Sequence, residues 1–357
     1  MRNNGPQSVA KVGCAKRWSL LRTALPLVAL LPLAGCGGAQ PEPAAEQYDV
    51  ALQQFLSAGR DSFMLGRYTV AETQYRKAAS LALLRDSAPE IAESGYDLAV
   101  SQLAAEEPAL ARATADRTRR AVALRGGHVM PYLDLVDAAA CYRLGQYEQA
   151  RDLALRAAQG ASVASVHGAA GSASALLLNT RAALVYALAA DQQNDTAALA
   201  RVPAMIAITD PHAAKALSAT QSVALRADQH EIQALVARRT NPTEAWKQAE
   251  EAANLRREGG NYHDMARALA LAARSADAVG QKDKAQALWT RAAQSAAAQG
   301  GVASHLSSTL AAGVAGAADS IRTITPDDAS AWARAAGGVT LHPFTDDTQA
   351  PLQTPDK

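Results

Sequence analysis

One spacing recurs three times along this chain of 357 residues and restricts its fold more tightly than any other feature. A glycine is followed at +2 by an aromatic, at +5 by alanine, at +9 by an aromatic and at +12 by alanine: Gly66, Tyr68, Ala71, Tyr75 and Ala78. The second copy is Gly145, Tyr147, Ala150, Ala154 and Ala157, and the third is Gly280, Ala285, Trp289 and Ala292, each lacking one aromatic. Glycine accepts the positive φ that ends a helix in a tight turn, and the aromatic at +2 packs under that turn. The positions after it, four and three residues apart, share one face of the next helix. Their small side chains let two helices come close. A chain marked this way folds as a row of helical hairpins.

With Phe55 and Gly59 in the stretch before Gly66, these residues resemble the tetratricopeptide repeat (TPR), where they stand at the large and small contact positions of the first helix. Ala58 replaces the family's usual leucine, and the proline that usually closes the motif is missing at Leu83. The resemblance implies an all-α fold: an α-solenoid, a right-handed superhelix of about six TPR-like helix pairs with a C-terminal capping helix. Weaker units continue the rhythm. One spans 88–124, with Pro108 at the first turn of its second helix. Another spans 170–207, with an apolar helix Leu176–Ala190 and a partner opened by Asp195-Thr196. A fifth closes with Asn241-Pro242-Thr243-Glu244 and Ala245, Ala249 and Ala252.

Gly126-Gly127, Gly259-Gly260 and Gly300-Gly301 mark further helix ends. No run alternates β-branched or aromatic residues with polar ones over a strand's length. A helix over 302–321 is expected to cap the last repeat, and Thr325-Pro326-Asp327-Asp328 to start a short helix over 326–336. From about Val339 onward the tail reads as disordered. The domains are therefore 1–35 as a leader, 36–47 as a tether, 48–321 as the solenoid and 322–357 as a short helix and disordered tail.

The leader is read from its charge and length. Arg2, Lys11, Lys16, Arg17 and Arg22 precede an apolar run, Ala24–Ala34, with no acidic residue among them. That order matches an export signal. Eleven residues interrupted by Pro26 and Pro32 are too few to span a bilayer, which needs roughly twenty. The run ends in Leu33-Ala34-Gly35-Cys36, which resembles the lipobox of bacterial lipoproteins. The resemblance implies a diacylglyceryl group on Cys36, cleavage before it and a third acyl chain, palmitate in kind. Each buried methylene adds about 0.8 kcal/mol, so several chains anchor stably where one does not. Gly37 in place of aspartate argues against inner-membrane retention, so the expected location is the periplasmic face of the outer membrane. Residues 37–47, with two Gly and two Pro, form the tether.

Cleavage would remove five of the 35 basic residues and none of the 34 acidic ones, leaving a mildly acidic chain. Nucleic acid is therefore not an expected partner, because phosphates call for a basic surface. Of three cysteines, Cys14 leaves with the leader, Cys36 takes lipid and Cys141 remains as a small buried residue, so no disulfide can form within the mature chain. The seven His are isolated from one another in motif terms, and no nucleophile elbow or phosphate-binding loop is present. No catalytic residue, metal or cofactor is expected. The TPR resemblance implies instead a concave groove lined by the first helix of each pair. Its inward positions are Gln53, Arg60, Phe63 and Met64 in the leading repeat, Tyr132, Tyr142 and Arg143 in the third, and Arg267, Arg274 and Asp277 in the last. Arginine and aromatics concentrate binding energy at protein interfaces. The expected function is a protein-protein interaction scaffold or adaptor, lipid-anchored in the cell envelope. The alternatives are an enzyme or glycan-acting protein on a helical scaffold, and a passive spacer.

Overall fold

The structure, a computed structural model, describes residues 49–127, 130–164, 169–207, 211–299 and 338–344, all within one compact unit, Tyr48–Lys357. The described residues are helical throughout except for the turns and 338–344, and they contain no strand. Six long first helices run α1 Val50–Met64, α3 Ala88–Ala104, α5 Pro131–Arg143, α7 Ala169–Gln192, α11 Ala219–Ala237 and α13 Tyr262–Ala278. Five of them have a long second helix: α2 Tyr68–Leu84, α4 Pro108–Ala123, α6 Tyr147–Ala164, α12 Pro242–Glu258 and α14 Lys282–Ala297. After α7 come three short helices instead, α8 Thr196–Leu199, α9 Val202–Met205 and α10 Pro211–Lys215.

Each long helix packs on the next long one, the short helices α8, α9 and α10 pack on α7, and first helices also touch one another: α3 on α5, α5 on α7, α7 on α11 and α11 on α13. This is a tandem array of TPR-like pairs, an all-α solenoid. The fourth pair departs from the expected pattern. Asp195 does open a helix there, its side chain accepting from the Ala198 N–H. Pro203 and Pro211, however, divide the following stretch, because proline cannot donate the bond a helix interior needs. The capping helix over 302–321 and the short helix over 326–336 lie outside the described residues, as does the leader with Cys36.

The recurrent residues do what their spacing requires. Gly66, Gly145 and Gly280 all have positive φ, between 71° and 78°. Tyr68 packs on Phe63 across its turn at 5.1 Å between ring centres, and Tyr147 on Tyr142 at 5.6 Å. Ala71, Ala78, Ala150 and Ala157 are fully buried between helices. Gly59 faces the Tyr75 ring so closely that a Cβ would lie 2.7 Å from it. Helix α7 contains a stretch, Ser172–Gln192, long and apolar enough to cross a membrane; most of it is buried among the other helices.

Residues 338–344 differ from their expectation as disordered tail. They run extended across α13, α5, α3 and α1, with Val339, Leu341 and Pro343 buried. Apolar residues at every second position, with polar Thr340 and His342 between them, are the pattern of a chain that buries one edge. An extended run from Gly338 to Phe344 covers only about 20 Å. The last described first helix and the leading one are therefore held about that far apart, so the row of first helices curls around the segment.

A groove holding an extended segment

The groove's contacts to the segment come from side chains on four first helices, α1, α3, α5 and α13, supported by charged residues of α7, α11 and α12. At one end Arg267 of α13 donates through Nη1 to the Gly338 carbonyl at 2.8 Å. In the middle, Asp264 accepts from both the Thr340 N–H and its hydroxyl, each at 3.0 Å. Tyr96 of α3 then donates its hydroxyl to the His342 carbonyl at 3.1 Å. At the other end Asp97 accepts from the Phe344 N–H at 2.8 Å, and Arg60 of α1 donates to the Phe344 carbonyl at 3.3 Å. The Phe344 ring lies 4.5 Å from Tyr96 and 4.9 Å, nearly edge-on, from Tyr132 of α5. Five of these contacts engage main-chain atoms, so backbone shape is read along the whole length.

Beneath the Gly338 end lies a neutral cluster of three arginines and three carboxylates. Arg181 bonds Asp264 at 2.8 Å and Asp228 at 3.2 Å, and Arg256 pairs with Asp228, with Glu231 at 3.1 Å and with Asp264 at 3.4 Å. Arg267 closes the set on Glu231 at 2.6 Å and Asp264 at 2.8 Å. Burial alone would raise the carboxyls of Asp264 and Glu231, but the arginines outweigh it: Asp264 lies well below the usual carboxylate range and Glu231 also below it. Paired in this way, buried charges are tolerated in a helical core. At the Phe344 end the balance is reversed. Burial pushes Asp97 well above the usual carboxylate range, opposed by the Phe344 N–H and aided by the charge of Glu93.

The structure brings five of the expected groove residues to this segment. Arg60 and Arg267 bond its carbonyls, Tyr132 holds Phe344, and Phe63 meets His342 at 6.1 Å between ring centres. Arg143 flanks Gly338 and donates to the Leu103 carbonyl at 2.7 Å. The others lie elsewhere. Met64 is 75% exposed at the end of α1, and Tyr142 is 2% exposed, a core residue under its turn. Burial holds Arg274 below the usual arginine range, and Asp277 pairs with Lys282 at 2.5 Å on the surface. Tyr142 is buried and Arg274 half-buried in the array. Sequence reasoning did not reach Tyr96, Asp97 or Asp264. The first two sit in the unit without a glycine-aromatic signature, and Asp264 looks like an ordinary acidic residue of a first helical turn.

Among the described residues no group of His, Cys, Asp and Glu is arranged to hold a metal. The Cys141 thiol is buried and pushed up to about 12 by that burial and by Asp137, so it stays protonated at neutral pH and is a poor nucleophile.

No family model and no curated protein matches the chain. Among solved structures it is similar to a tetratricopeptide repeat protein from Parabacteroides merdae, with 13% identity and a TM-score of 0.37 over 73% of this chain and 97% of that one. A likeness of that size carries no weight beside the helix packing already described. What fold and groove define together is a class: a TPR-like α-solenoid whose groove holds the chain's own residues 338–344.

Proposed function

We propose that the protein is a protein-interaction adaptor of the bacterial envelope, anchored through lipid on Cys36 at the periplasmic face of the outer membrane. The observation that carries the binding part is the groove's grip on an extended segment through main-chain carbonyls and N–H groups and through a seat for an aromatic ring. Such contacts serve peptide recognition, because main-chain bonds hold any extended chain while side-chain seats select among them. The envelope part is supported by the basic-apolar leader ending in Leu33-Ala34-Gly35-Cys36. Anchor and tether confine the scaffold near one membrane and raise its effective concentration toward partners there.

The test uses lipid-free protein cross-linked in envelope extract, beside an Arg60→Ala, Tyr132→Ala double variant of unchanged helicity. A stoichiometric partner lost in the variant supports the reading. A partner retained by the variant moves the binding away from the groove, and turnover of cell-wall fragments by the purified protein alone would replace the adaptor with an enzyme. Replacing Cys36 with alanine behind a soluble signal should abolish function at normal abundance. Full function without lipid would reduce the anchor to sorting.

A further inference from the structure

The adaptor reading leaves open what kind of segment the groove takes, and the chain's own residues 338–344 answer it; the inference rests on that reading. A Cβ on Gly338 would lie 2.5 Å from Arg143 Nε and 2.9 Å from its Cγ, so the first seat favours glycine and takes a larger residue only if the Arg143 side chain shifts. Val339, Leu341 and Pro343 are buried, Thr340 spends both its hydroxyl and its N–H on Asp264, and the Phe344 ring fills the Tyr96–Tyr132 seat. The seats spell glycine, apolar, hydroxyl, apolar, any residue, proline, aromatic. Proline suits its place because that position is asked for no N–H, and it keeps the residue before it extended.

The fit is incomplete at both ends. Arg143 Nε, beside Gly338, and Asp97 Oδ2, on the carboxyl that holds Phe344, are shielded from solvent and have no hydrogen-bond partner. Asp97 itself is fully buried. Leaving such atoms unmade costs more than a typical hydrogen bond contributes, so a ligand satisfying one of them gains on the order of tenfold in affinity. The segment is thus a serviceable occupant, and a better one can be specified.

We propose that residues 338–344 are an exchangeable internal ligand, and that the groove's partner presents an extended Gly–apolar–Ser/Thr–apolar–any–Pro–aromatic stretch with an acceptor opposite Arg143 and a basic donor opposite Asp97. The internal copy is covalently tethered and competes at an effective concentration on the order of millimolar. Free partner at micromolar levels must therefore bind about a thousandfold more tightly than the segment, or be concentrated on the same membrane. The tail sets a threshold that excludes weak, generic peptides.

The experiment measures polarisation of a fluorescein-labelled heptapeptide of sequence 338–344 added to the full chain and to a full-length Thr340→Ala, Phe344→Ala variant. The variant should bind the probe at least about tenfold more tightly than the wild type, and adding Tyr132→Ala should remove that binding. A probe that binds neither chain, or both equally, overturns the inference. A second measurement uses the wild type alone. Hydrogen exchange at the Thr340 and Phe344 amides should outpace that of the α5 and α7 core, as local opening requires; exchange at the core rate would make the segment a permanent strap. A concentration-dependent dimer of the wild type, lost on Phe344→Ala, would assign the groove to a second copy and also overturn the partner chemistry. If the probe fails while the Arg60, Tyr132 variant still loses an envelope partner, this inference falls and the adaptor reading stands. If the probe exchanges as expected but the groove variant retains every partner, the adaptor reading itself falls.

Discussion

Asp97 and Glu231 are both fully buried carboxyls, yet their surroundings move them in opposite directions. Asp97 has a raised folded-state pKa, so folding favours its protonated form. Its contribution is most favourable below the unfolded carboxylate value of about 3.9 and is lost as pH rises toward the folded value. Asp97→Asn keeps an acceptor for the Phe344 N–H and removes the charge. The variant should match the wild type near pH 3 and exceed it by about 1–3 kcal/mol at pH 8 in urea unfolding. Glu231 and Asp264 are lowered instead, so their contribution is present above about pH 4 and is lost as pH falls through the lowered folded values. Glu231→Gln leaves Arg267 and Arg256 short of a buried counter-charge and should cost about 3–5 kcal/mol at pH 7, the usual penalty for breaking such a set. A loss under 1 kcal/mol would mean that solvent reaches the cluster.

At the scale of elements, legibility followed turn chemistry. Pairs joined by Gly66, Gly145 and Gly280 announce themselves, because glycine at positive φ is followed by aromatic and small residues in fixed places. Three other turns take the same left-handed conformation with Asp86, Glu106 and Asn194. Asp and Asn take that conformation more readily than other side chains but are too common elsewhere to mark a turn alone, so the unit at 88–124 was legible by rhythm and Pro108, and the break after α7 not at all. Proline opens long helices at Pro108 and Pro242, whereas Pro203 and Pro211 stand in the first turns of the short helices that follow α7. The Asn241 side chain caps α12, accepting the Glu244 N–H at 3.2 Å ahead of Pro242. Asn241→Ala should cost about 1 kcal/mol, as loss of a helix cap does, read as a lower urea midpoint with unchanged slope. The groove was legible where it follows the repeat, at Arg60, Phe63, Tyr132, Arg143 and Arg267. Its occupant was not, because a seven-residue alternation lacks the length that separates signal from chance, and because its stabilising partners are up to 284 residues away in sequence.

In a solenoid each repeat normally touches only its neighbours, so curvature is soft and stability is a sum of local terms. Here residues 338–344 connect α13 to α1, a contact no neighbour rule supplies. Burying Val339, Leu341 and Pro343 contributes about 2 kcal/mol each and the half-buried Phe344 about 1 kcal/mol, and six hydrogen bonds about 1 kcal/mol each. Ordering seven residues costs about 1.5 kcal/mol apiece. The difference is a few kcal/mol, enough to keep the segment seated and little enough to let it leave. Deleting residues 338–357 should therefore preserve helicity per residue, since helix pairing is untouched, and lower stability by only those few kcal/mol. The radius of gyration from small-angle scattering should rise as the first and last repeats part. If the deletion collapsed helicity, the segment would be part of the core; if the radius stayed constant, the repeats alone would set the curl. A larger radius with intact helices would mean that ligand exchange in the groove is coupled to the curvature of the whole scaffold, so that a partner replacing the tail would inherit its grip on both ends.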